Sequence, residues 1–328
     1  MFAEFNESSR KEVEILRILS QFRYPVGSTV LRRELERRGF HLNDRTIRYH
    51  LKLLQAKGMV KGHGRQGRTI TVAGLEELER ALAYQRLGSV LTRYLALAYS
   101  ITYDPLEDKG KVVANISIIG KKHLDEMLDL MVKLCKMKLL PAPYFKVLRE
   151  GEEYQGLNIS RGKVAVFTVC NLTIDGILIK AGIPIMLKYG GLAQFVDYRP
   201  VRFVELLSYD GTTLPPLELL VYRGATSIRY FLDTGSGILP LNFREAPAEA
   251  REQVTNILNE LKSRGWGGII QVGHPNEPVL GVPVAIDRFG ICIIGGLIPG
   301  ATMREAGVPV ETLAPHCLIP IEDMERLD

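Results

Sequence analysis

Arg45, Thr46, Arg48, Tyr49 and Lys52 fall within one short stretch, and Arg65 and Arg68 follow soon after it. Guanidinium and ammonium groups at that density neutralise phosphate. An arginine grips guanine bidentately, and Thr46 or Tyr49 can touch a thymine methyl or a phosphate. The chemistry implied is the reading of duplex DNA. From Arg23 to Arg68 there are twelve cations against three acids (Glu34, Glu36 and Asp44), an excess of nine (12 − 3), while the whole 328-residue chain has a formal net charge of +5. The remainder is therefore slightly acidic. A basic module on a neutral body is the footprint of phosphate contact, whereas a merely solvated helical surface alternates its signs.

The elements that must position these groups are legible around them. Glu12–Phe22 has helical apolar spacing behind the capping candidates Ser8 and Ser9. Pro25 and Gly27 break the chain, and Ser28 is placed to cap a second helix through Arg38, with Val30, Leu31 and Leu35 on one face. Asn43 caps a third helix from Asp44 to Lys57, ended by Gly58. Ile47, Leu51 and Leu54 share its inner side, so the cations take the outer side. His50 is expected inside the three-helix packing rather than in any catalytic role. Met59–Lys61 and Arg68–Val72 read as a hairpin around a Gly/Arg-rich tip, from which Arg65 and Arg68 reach phosphate or the minor groove. Residues 1–74 therefore predict a winged helix-turn-helix whose third helix enters the major groove.

Residues 75–97 predict a helical connector, and residues 98–328 a regulatory and dimerisation body that repeats itself. Ala98, Ser100, Ile101 and Tyr103 recur as Ala225, Ser227, Ile228 and Tyr230, an offset of 127 (225 − 98). Gly110 and Asn115 recur as Gly237 and Asn242, and Leu134 as Leu261, in the same register. After a gap, the run Ile174–Pro184 is aligned with Ile286–Pro299 and read in each copy as two strands joined by a tight turn. The fold class expected is α+β: repeats at about 98–200 and 225–328, each with helices covering one face of a mixed or antiparallel sheet, related by a pseudo-two-fold axis.

The head RTIRYHLKLLQAKGMVKGHGRQGRTIT, the segment FLDTGSGILPLNFRE and the segment GGLIPGATMREAGVPVE together resemble the archaeal nitrogen-regulatory repressors called NrpR. The resemblance runs from about Glu12 to the C-terminus. It implies a repressor of nitrogen-fixation and nitrogen-assimilation genes, dimeric or larger on a palindromic operator, released when 2-oxoglutarate binds the body. Some members carry two regulatory domains; this chain has a single one containing the duplication.

2-Oxoglutarate has two carboxylates and a ketone, so its site needs clustered N–H donors and a cation. Gly295, Gly296 and Gly300, followed by Thr302 and Arg304, offer both in one segment; the first copy offers Lys180, Gly182 and Lys188. Cys170 and Cys292 either line a shared pocket or, more simply, pack in a β core. The four cysteines lack metal-type spacing and read as reduced thiols of a cytoplasmic protein. His123, His274 and His316 show no metal-ligand pattern, and Asp175 and Asp287 are expected to brace turns. No run approaches the roughly 20 apolar residues that span a bilayer, and MFAEFNESSRKEV has no apolar signal core. No catalytic residue, metal or resident cofactor is expected. Two other readings stay open: a bifunctional enzyme of the biotin-ligase-repressor type, since GHGRQGR is similar to the Gly/Arg loop of biotin protein ligases, and a DNA-binding scaffold with a protein-binding body.

Overall fold

Asn43 begins the helix on which the head depends: its Oδ1 accepts hydrogen bonds from the Thr46 backbone N–H at 2.8 Å and the Thr46 hydroxyl at 2.9 Å. The computed structural model describes residues 7–22, 24–81 and 88–327, and the chain divides into two units at Leu87/Gly88. The first holds α1 (Glu7–Leu19), α2 (Ser28–Arg37), α3 (Asp44–Ala56), β1 (Val60–Gly62), β2 (Arg68–Ile70) and α4 (Val72–Ala81). Ile15, Leu16, Leu31, Leu35, Ile47, Leu51 and Leu54 form its core. Each such side chain stabilises by about 1.5–3 kcal/mol when fully buried. β1 and β2 pair antiparallel, and β2 also bridges to Val26. Gly67 permits that approach, because a Cβ there would stand 2.3 Å from the Val26 carbonyl.

Three expectations about this unit change. The N-cap of α2 is Gly27, with Ser28 already helical and no side-chain cap. The second strand stops at Ile70, because the Thr71 hydroxyl turns to accept the Gly74 N–H at 3.1 Å and starts a helix at Val72. The expected connector does not form one element: α4 places Leu78 in the head core, while α5 (Ser89–Tyr99) places Val90 and Tyr94 in the body core.

The body continues with β3 (Lys111–Gly120), α6 (Leu124–Lys136), β4 (Tyr144–Leu148), the two-residue strands β5 (Glu153–Tyr154) and β6 (Leu157–Asn158), β7 (Lys163–Val169), α7 (Leu172–Lys180), β8 (Met186–Val196) and β9 (Arg199–Ser208). Then come α8 (Pro216–Tyr222), α9 (Ile228–Thr234), β10 (Gly237–Pro247), α10 (Arg251–Ser263), β11 (Ile269–Val272), β12 (Arg288–Ile294), α11 (Ile298–Glu305), β13 (Glu311–Pro320) and β14 (Glu325–Arg326). Among the described residues, two five-stranded sheets form, in the orders β13-β3-β7-β4-β14 and β11-β12-β10-β8-β9. The pairings within them are antiparallel.

The duplication is visible in this topology. β3 and α6 correspond to β10 and α10 at the offset of 127, and β7, α7 and β8 correspond to β12, α11 and β13. The halves exchange their last strands: β8 from the first pairs with β10 of the second, and β13 from the second pairs with β3 of the first. The second alignment expected from sequence is corrected. Ile174–Lys180 lies in helix α7, whereas Arg288–Ile294 is strand β12, so the expected alignment set a helix against a strand. The matching register is an offset of 125 (306 − 181), carried by Ala181-Gly182-Ile183-Pro184 and Ala306-Gly307-Val308-Pro309. α7 is buried from Leu172 through Leu178. A helix enclosed on all sides shows no 3.6-residue polarity pattern, and its β-branched residues then imitate a strand. Ile101 and Tyr103 are buried but lie outside any strand, and Ile228 opens a helix.

Candidate functional site

On α3, Arg45, Arg48 and Lys52 are exposed beside Tyr49, and Ile47, Leu51 and Leu54 are buried on the other side. The cations thus stand free of the core, near the helix N-terminus. Arg48 lies 3.6 Å from Asp44 in an exposed pair, which a phosphate can displace because such pairs contribute little. Thr46 is half-buried and spends its hydroxyl on the Asn43 cap, so its role is to fix the start of the reading helix. His50 is buried, 3.6 Å from Glu12, as expected of a core histidine. In the wing, Arg68 is held to α3 by its Nε, which donates to Gln55 Oε1 at 3.1 Å. Arg65 sits in the short turn Gly64–Gln66; its side chain lies outside the described residues. Gln55, which ties wing to helix, gave no signal of its own in the sequence.

The body contains a small cavity of about 30 Å³, room for about one water molecule. Equivalent positions of the two repeats meet there. β3 supplies Asn115, and β10 supplies its counterpart Asn242 together with Arg244. The turn after β7 supplies Cys170 and Asn171, the turn after β12 supplies Gly296, and Tyr94, Tyr209 and Glu218 close the remaining wall. Gly296 is required by this geometry, since a Cβ would stand 2.3 Å from Asn115 Nδ2.

Arg244 and Asp175 form an ion pair that is almost completely buried. Arg244 Nη2 donates to Asp175 Oδ2 at 2.7 Å and Nε donates to Oδ1. Burial opposes the Arg244 cation, yet Asp175 outweighs it and holds the guanidinium above its ordinary value. Two buried polar atoms of the cavity keep no partner, Arg244 Nη1 and Asn115 Oδ1. Leaving such an atom unsatisfied costs about 1–3 kcal/mol, so each marks a place for a ligand group or water. Tyr209 donates to Asn242 Oδ1 at 2.5 Å, and Asn171 Nδ2 donates to the Ile294 carbonyl at 2.8 Å. Burial pushes the Cys170 thiol up to about 12 and raises the Tyr209 phenol, so both stay neutral. Arg244 and Asp175 correspond, by the two offsets, to Ser117 and Gly300 in the other half. There Ser117 Oγ lies only 2.9 Å from where a Gly300 Cβ would stand. One half thus carries charge where the other carries close packing.

Residues 87–326 match the family described as NrpR regulatory domains NRD1 and 2, and residues 13–78 match the ribonuclease R winged-helix domain. The chain is 33% identical over 318 residues to a global nitrogen regulator NrpRI of Methanosarcina mazei, covering 97% of this chain and 98% of that one. It belongs to the NrpR family. The NrpR of Methanocaldococcus jannaschii is 35% identical over 321 residues, and the chain spans 55% of its length. It spans the same share of the Methanococcus maripaludis NrpR, at 30% identity. A crystal structure of a nitrogen repressor-like protein from Methanococcus jannaschii superposes with a TM-score of 0.62 at 27% identity, covering 73% of this chain and 98% of that one. The winged-helix head and the duplicated α+β body are therefore those of an NrpR protein.

Of the effector residues expected from sequence in this NrpR chain, Gly296 alone lines the cavity. Gly295 is next to it, with its N–H bound to the Pro240 carbonyl at 2.7 Å. Gly295 and Gly296 form a short turn that leads directly into helix α11, so Gly300, Thr302 and Arg304 are helical rather than part of one glycine loop. Gly300 packs on Ser117, and the buried Thr302 hydroxyl donates to the Ile298 carbonyl one turn back at 2.8 Å. Arg304 turns away to the Val310 carbonyl and stacks 4.0 Å over Tyr222. Lys180 lies over Tyr99 at 6.0 Å, Gly182 is a left-handed turn residue with open space around it, and Cys292 is buried in β12. Asn115, Asn242, Arg244 and Glu218 were missed as site residues. For the two asparagines the signal was present: Asn115 and Asn242 stand at matching positions in the largely apolar runs VVANISIIG and ILPLNFREA, whereas Glu218 lies in neither run.

Proposed function

We propose that this protein is a transcriptional repressor of nitrogen-fixation and nitrogen-assimilation genes that binds a palindromic operator as a dimer and is released by 2-oxoglutarate. It works in the cytoplasm and catalyses no reaction. The observation that carries the DNA half is the outer face of α3, where Arg45, Arg48, Tyr49 and Lys52 surround a capped helix start. That face supplies phosphate contact and base readout together. The sensing half is supported by polar side chains of both repeats, Asn115, Asn242 and Arg244, converging on one small cavity that a ligand would have to widen. The spare Nη1 donor of Arg244 suits a carboxylate oxygen. Family membership supports joining the two halves in one regulator.

Selection of duplexes from a random library tests the DNA half. The expected result is enrichment of an inverted repeat whose half-sites lie about one helical turn apart, bound with affinity that falls steeply as salt rises. Replacing Arg48 with Ala should weaken the selected duplex by about 1–3 kcal/mol. Retention of no duplex even at low salt, or unchanged affinity for the Arg48 variant, contradicts the assignment.

A further inference from the structure

On the DNA-binding role proposed above, we infer that Gln55 is a positioning residue. It holds the Arg68 guanidinium against the outer face of α3 and makes the wing a phosphate clamp that adds affinity without reading sequence.

Arg68 stands at the base of the hairpin, opposite Gly62, and not at its tip. Its backbone N–H donates to the Val26 carbonyl at 3.0 Å, and its carbonyl accepts the Val26 N–H at 2.8 Å. The main chain is therefore fixed from two sides, by β1 and by Val26. The side chain is fixed as well, since Nε donates to Gln55 Oε1 at 3.1 Å. Gly62 leaves room for that bond. A Cβ there would stand 3.1 Å from Gln55 Oε1 and 3.5 Å from Nε2, so a side chain at 62 would press on the carboxamide that holds the arginine.

Gln55 follows Arg48 and Lys52 at a spacing of i, i+4 and i+7, and all three are exposed on one stripe of α3. The bond to Gln55 sets the Arg68 guanidinium at the end of this stripe. Reading the minor groove needs an arginine that extends into it, whereas this one is tethered to the helix. With Nε committed, Nη1 and Nη2 remain as a fork that fits two oxygens of one phosphate. Contacts to phosphate fix register and carry no sequence information. A guanidinium already held in place also loses less side-chain freedom on binding than a free one. Gln55 thereby raises affinity through Arg68.

The test is a double-mutant cycle on the full chain, with Arg68→Ala, Gln55→Met and the two combined. Methionine keeps the length and helix preference of glutamine and deletes the acceptor. Affinity is read across a series of salt concentrations on the selected inverted-repeat duplex and on a scrambled duplex of equal length, with the melting of the head followed alongside. Arg68→Ala should weaken both duplexes by the same factor and flatten the slope of log affinity against log salt by about 0.9, the share of one phosphate. Gln55→Met should weaken both by about two- to tenfold with melting unchanged, and should add nothing once residue 68 is Ala. Three results overturn the inference while leaving the reading by α3 standing, which Arg48→Ala tests separately. They are wild-type affinity in Gln55→Met, a loss that persists in the Arg68→Ala background or tracks a destabilised head, and an Arg68→Ala loss confined to the selected duplex. A wild type that retains neither duplex at low salt overturns the DNA-binding role and the inference with it.

Discussion

Arg244 is 1% exposed, and a guanidinium at that depth persists only with an anion against it. Asp175 supplies the anion from the other repeat, so the pair fastens α7 to β10 while leaving one donor for the cavity. The corresponding Ser117 and Gly300 show that this packing position is filled elsewhere without charge. The charge at 244 therefore belongs to the cavity more than to the fold. Asp175→Asn should lower the stability of the body by about 3–5 kcal/mol, because it strands the cation. Replacing both residues by Met and Leu should recover most of that loss, read from urea midpoints. A single Asp175→Asn variant within about 1 kcal/mol of wild type would show that the pair does not hold these elements.

Among the elements, α3 is the one whose local chemistry and function coincide. Asn43 satisfies the Thr46 N–H and fixes where the cation-bearing face starts. Asn43→Ala should cost the head about 0.5–2 kcal/mol and weaken duplex binding, with the melting of the body unchanged; a head as stable as wild type would contradict the capping role. This helix was readable from sequence because cap, apolar period and Gly58 terminator all agree. β3 and β10 were readable as repeats for the same reason: Gly110–Asn115 and Gly237–Asn242 keep one register through strand and helix. α7 was not readable, because burial on every side removes the periodicity that distinguishes a helix from a strand. The cavity was hidden for another reason. Its residues come from segments far apart in the chain, and Arg244 meets Asp175 across 69 positions. A glycine-rich stretch such as Gly295–Gly300 draws attention as an anion cradle, whereas here those glycines admit Asn115 and Ser117 from a neighbouring sheet.

In the molecule as a whole, the exchange of β8 and β13 makes each sheet of the body a joint product of both repeats. A ligand that opened the cavity between Asn115 and Arg244 would contact both sheets at once, since these residues lie on the interior strands β3 and β10. A ligand placed there can favour one arrangement of the repeats over another. It needs only about 1.4 kcal/mol of preference between two states to change operator affinity tenfold. Duplex DNA affinity of the full chain, measured with and without saturating 2-oxoglutarate at one fixed salt concentration, tests this most directly. The account predicts affinity at least about tenfold weaker with the ligand, and a smaller response when Asn115 is replaced by Leu. Equal affinity in both conditions, with the ligand shown to be bound, would contradict it.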